Sequence, residues 1–159
     1  MRAEHHQRGG AAVGVLNKMD AWEANLVLNL RLWCVGPDGQ SRVWDEYRRA
    51  LPPAEARSEC HKFKALIRTI TARCHRPLVR HDVTCACMGA DEGIFVNLVR
   101  TASDGHLNDA ALIATLLTGP AQAEQIAILA AQVGECTRKI HKQPPEYSPH
   151  TAPNIVRLH

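Results

Sequence analysis

The chain has 159 residues, of which 45% are apolar and only 4% aromatic. That is too apolar for a disordered chain and fits one domain with an aliphatic core and tails. No apolar run approaches the ~20 residues that span a bilayer, so a membrane helix is excluded, and the net charge of +3 singles out no partner by itself.

Residues 1–18, punctuated by Gly9, Gly10 and Gly14, show no helical period and read as a disordered leader, with a second candidate start at Met19. The first helix is expected over residues 21–34. Asp20 and Glu23 have capping-box spacing, and Trp22, Leu26, Leu30 and Trp33 form one stripe. Leu26, Leu28, Leu30 and Leu32 also alternate, which makes a strand the competing assignment; the cap and the Leu/Ala/Asn content favour helix. Gly36-Pro37 ends this element.

A second helix follows Asp38, with Val43, Trp44, Tyr47 and Leu51 inward. Pro52-Pro53 then opens a third, running to about Cys74, with Phe63, Leu66, Ile67, Ile70 and Cys74 as its apolar stripe. Residues 75–90 break the period. Asp91 is expected to cap a fourth helix bearing Ile94, Phe95, Leu98 and Val99. Asn108 is expected to cap a fifth, packed through Leu112, Ile113, Leu116 and Leu117. Pro120 starts a sixth, with Ile126, Leu129, Val133 and Ile140 inward and Gly134 as a weak point. From Gln143 onward a proline-rich polar stretch reads as a disordered tail. The expected architecture is all-α: a compact bundle of five to six short helices over residues 19–142, with a Cys/His-rich loop between the third and fourth.

That loop carries the chemistry. Zinc takes four nitrogen or sulfur donors in a tetrahedron. Cys74, His81, Cys85 and Cys87 supply such a set, with His75 as an alternative ligand and Asp82 placed to orient His81. A structural zinc is therefore one reading of the loop. Ordinary buried thiols are another, and a redox pair beside Arg76 and Arg80 a third. Six cysteines in a chain with no export segment point to a reducing, cytoplasmic setting.

Charge is segregated along the chain. Residues 57–81 hold Arg57, Lys62, Lys64, Arg68, Arg73, Arg76 and Arg80 against Glu59. Residues 82–135 hold Asp82, Asp91, Glu92, Asp104, Asp109, Glu124 and Glu135 against Arg100. Mutual neutralisation of the two segments is the first reading; an external anion, bound through Lys64, Arg68, Arg73, Arg76 and Arg80, is the second. There is no phosphate loop, dinucleotide fingerprint, Gly-x-Ser-x-Gly elbow or His-Glu-x-x-His pair, so no catalytic constellation and no enzyme is expected.

The strings Leu30-Arg31-Leu32-Trp33-Cys34 with Gly36-Pro37-Asp38-Gly39-Gln40, and residues 80–92, resemble a family of small uncharacterised helical proteins of alphaproteobacteria. The resemblance implies a bacterial cytoplasmic accessory protein and carries no activity. The functional expectation is a non-enzymatic regulatory or adaptor module that binds a protein partner. The alternatives are a nucleic-acid-binding accessory factor and a thiol or metal redox sensor.

Overall fold

A computed structural model describes residues 11–142. These residues form six α-helices and one two-stranded antiparallel ribbon, in the order β1 (Ala12–Val15), α1 (Ala21–Val35), α2 (Pro37–Ala50), α3 (Pro53–Arg73), β2 (Cys87–Gly89), α4 (Ala90–Ser103), α5 (Leu107–Thr118) and α6 (Ala123–Lys142). The protein is all-α apart from the ribbon, as expected. Among the described residues no helix is long and apolar enough to cross a membrane.

The helices form where the apolar stripes require a partner. α4, α5 and α6 pack on one another. α3 lies against α6, and α2 bridges α1 to α3. Leu26, Leu30, Val43, Phe63, Leu66, Ile70, Phe95, Leu98, Val99 and Ile126 are essentially fully buried and make one continuous core. Three aromatics meet within it: Trp33 meets Phe63 edge-on at 5.6 Å between ring centroids, and Tyr47 approaches the same ring at 6.4 Å. Two glycines permit close helix crossings. A Cβ on Gly39 would sit 1.9 Å from the Leu32 carbonyl oxygen, so α1 and α2 turn against each other with backbone in contact. A Cβ on Gly134 would sit 2.6 Å from Ser103, where α6 crosses α4. Gly134 is thus a packing position within an unbroken helix.

Several local expectations are corrected. Residues 11–18 belong to the fold: β1 pairs with β2, with Val15 opposite Cys87 and Ala12 opposite Gly89, and a turn follows at Leu16–Lys18. The structured region therefore begins before Met19. Strands of four and three residues are too short to show a period. Residues 1–10 and the expected tail from 143 lie outside the described residues. Asp20 occupies the N-cap position of α1 but makes no side-chain cap, and Glu23 instead lies buried and pairs with Arg100 of α4. α4 begins one residue before Asp91, so Gly89 is its N-cap and Glu92 accepts the Gly89 N–H at 2.8 Å. His106, not Asn108, precedes α5. On α5, Leu117 is buried as expected, but Leu112 and Leu116 are 67% and 65% exposed, and Ala110 and Ala114 complete the buried face.

Candidate functional site

Residues 74–86 leave α3, cross the ends of α1 and α4, and enter β2. This strap has little regular hydrogen bonding of its own, so its polar backbone must be satisfied by something else. The partner is Arg31, buried on α1 at 1% exposure. Its Nε donates to Glu92 Oε1 at 2.7 Å. Nη1 donates to the carbonyls of Asp82 and Cys85 at 2.9 and 2.7 Å. Nη2 donates to the Cys87 carbonyl at 2.5 Å and to Glu92 Oε2 at 3.0 Å. All five guanidinium N–H donors are thereby used, the condition under which a buried cation is tolerable.

The first turn of α4 completes the fastening from the other side. Glu92, fully buried, also accepts the His81 N–H at 3.1 Å. Asp91 accepts the Val79 N–H at 2.8 Å and takes a two-pronged bond from Arg76 at 2.7 and 2.9 Å. The Arg76 guanidinium beside it holds the Asp91 carboxyl below the usual carboxylate range. Two carboxylates at a helix N-terminus also lie where the helix dipole favours them. Asp82 turns its side chain to its own loop, accepting from the N–H and hydroxyl of Thr84.

The expected zinc ligands separate into two places. His81 and Cys85 stay together, with His81 Nδ1 3.7 Å from Cys85 Sγ, and the neighbouring Cys85 raises the Cys87 thiol pKa above its ordinary value. Cys74 lies at the end of α3 near Arg76 and Asp91, and His75 rests against Gly119 with its N–H on the Leu117 carbonyl. Among the described residues no group of three or more His, Cys, Asp or Glu side chains is arranged to hold a metal ion. The four donors are therefore not gathered as one set. The strap is instead tied to α1 and α4 through Arg31. Sequence reasoning passed over this residue, although its place was marked. Arg31 lies four residues after Val27, on the apolar side of α1, where an unpartnered cation is not stable.

The basic residues converge instead. A cleft of about 750 Å³ opens between α3, the strap and the α1–α2 corner. Lys64 and Arg68 of α3 line it with Arg76 and Arg80 of the strap, and Trp33, Cys34, Cys74 and His75 add to its walls. No carboxylate lines it. Arg73, the fifth expected cation, is not part of the lining. Arg80 is oriented by a bond to the Cys34 carbonyl at 3.2 Å. Lys64 and Arg68 make no ion pair with another described residue, whereas Lys62 on another flank of α3 is taken by Glu59 at 2.7 Å. The expected neutralisation of the basic segment by the acidic one is met at Arg76–Asp91, and it does not extend to the α3 cations in the cleft.

No family model, no curated protein and no solved structure matches the chain.

Proposed function

We propose that this protein is a non-enzymatic binding module that holds a single-stranded nucleic acid by its phosphates in the cleft between α3 and the strap. The observation that carries this reading is the convergence of Lys64, Arg68, Arg76 and Arg80, from two separate segments, on one cleft with no lining carboxylate. Cations on a solvated helix face are ordinary, but cations from two elements aimed into one concavity raise its potential together. The volume lies within the range of small-ligand sites, about 300–1,000 Å³, and suits one or two nucleotides of a flexible strand. A duplex is a poorer match, since groove reading uses a projecting helix or ribbon and this site is recessed.

Fluorescence anisotropy with a labelled single-stranded oligonucleotide tests the reading. With one or two nucleotides in the cleft, about two phosphates are neutralised, which gives a log–log salt slope of about −1.4, taking about 0.7 per phosphate for single strands. The Lys64→Glu/Arg68→Glu double variant should weaken binding at least tenfold, while Arg73→Glu, outside the cleft, changes it little. Absence of binding at low salt would dismiss the reading.

A second reading, a protein partner, is favoured by a different surface. Leu112 and Leu116 stand one turn apart and exposed on α5, a short apolar stripe of the kind helix–helix contacts use. A pull-down with wild type that fails with Leu112→Ser/Leu116→Ser is its test.

A further inference from the structure

The thiol pair on the strap is not used by the cleft. The six cysteines differ in burial. Cys60 and Cys136 are buried among apolar side chains, and burial pushes both thiols up to about 12, which makes them inert. Cys85, near the end of the strap, and Cys87, the first residue of β2, are partly exposed. Cys85 Sγ has His81 Nδ1 at 3.7 Å, within reach for a sulfur–imidazole hydrogen bond. His81 Nε2 is buried with no hydrogen-bond partner among the described residues. Its ring therefore has Cys85 as its hydrogen-bonding contact. The carbonyls of Cys85 and Cys87 both bond Arg31, which fixes the two residues side by side and puts a guanidinium behind them.

We propose that Cys85 and Cys87 form a reversible dithiol–disulfide site that reacts with hydroperoxides, His81 taking the Cys85 proton and Cys87 closing the bridge. Cys85 gives its proton to His81 Nδ1, and its sulfur attacks one oxygen of the hydroperoxide. An S–O bond forms, the O–O bond breaks, and the leaving oxygen takes the proton back from His81 as water or an alcohol. The Cys87 sulfur then attacks Cys85. The S–S bond forms, the S–O bond breaks, and hydroxide leaves with the Cys87 proton as water. Two thiols lose two electrons and the peroxide gains them. Two extended residues separate Cα atoms by about 6.6 Å, near the upper end of the span of about 4.4–6.8 Å that a disulfide bridges. A bridge between the two residues is therefore within geometric reach.

The test uses the full chain, reduced and then exposed to hydrogen peroxide, with free thiols blocked by N-ethylmaleimide. Trypsin releases residues 81–100 between Arg80 and Arg100, so both thiols lie in one peptide. That peptide should lose the mass of two hydrogens, while Cys60 and Cys136 stay reduced. In Cys87→Ser, dimedone should label Cys85 as a sulfenic acid; early-time trapping in the unmutated chain gives the same assignment without relying on the variant's folding. His81→Ala, checked for helix content by circular dichroism, should slow Cys85 oxidation at least about tenfold, the lower part of what a positioned base supplies, and leave Cys74 unaffected. A bridge between Cys34 and Cys74 instead, or Cys85 reacting no faster than Cys74, overturns the proposal.

Discussion

The three helices α4, α5 and α6 and the strap are held by opposite means. The helices bury Phe95, Leu98, Val99, Ile126, Ala130 and Val133 to 1% exposure or less, and apolar area removed from water is what keeps them together. The strap contributes few core residues. It is held by one guanidinium, two carboxylates and its own backbone. Apolar packing is non-directional and spreads a loss over many neighbours. A buried ion pair concentrates it, because removing one partner leaves the other charged and stranded. The same domain therefore joins a tolerant region to an intolerant one.

The sharpest way to break this contrast is Arg31→Met. It should cost about 3–5 kcal/mol in a denaturant titration, with amide exchange rising first across residues 79–89. Adding Glu92→Leu should recover only part of the loss, since the carbonyls of residues 82, 85 and 87 remain unpaired. A cost under 1 kcal/mol for Arg31→Met would show that water replaces the guanidinium and that the strap is not fastened there.

On the apolar side, Leu98→Ala should cost about 2–5 kcal/mol and act globally, speeding exchange in α4, α5 and α6 alike, with no separate early opening of the strap. If the strap opened first, the two regions would be one cooperative unit.

A smaller effect separates them by pH. Asp91 has a folded pKa lowered chiefly by its bond to Arg76. The stability it contributes is therefore fully present above its unfolded value, about 3.9, and is lost as pH falls through the lowered folded value. The melting temperature of the wild type should fall below about pH 4 more steeply than that of Arg76→Ala. Parallel curves would mean that the exposed guanidinium is screened by solvent. At the far end of the scale, Leu112→Ser should change stability by no more than about 0.5 kcal/mol, because the side chain lies in water.

Helices were legible because their signals are local and repeated. The stripes on α1 and α3 recur every three or four residues, and Gly36-Pro37 and Pro52-Pro53 mark breaks that any neighbour would respect. α5 misled for a physical reason: its leucines surround the axis, and the choice of buried face was made by the small Ala110 and Ala114, which let α4 and α6 approach. The cleft was legible in its residue types and hidden in its geometry. Lys64 and Arg68 share one flank four residues apart, but their meeting with Arg76 and Arg80 depends on the path of the strap. That path depends on Arg31, some fifty residues earlier in the chain, and no spacing rule links a cation on one helix to three carbonyls on a distant loop.

Arg31 holds the arc at residues 82, 85 and 87 through carbonyl oxygens, and a carbonyl is common to every amino acid. The demands on the strap's main chain are few: an N–H at positions 79 and 81, which bars proline there, and an open line to the guanidinium. Thr84 and Ala86, exposed on the outer side, carry no part of that fastening beyond the backbone. Apart from the Arg76–Asp91 pair and the Arg80 bond to Cys34, the architecture works as a mounting frame whose fittings are independent of what is mounted. Mutation can rewrite the outward side chains of the loop, and with them whatever it recognises, while the frame keeps its shape.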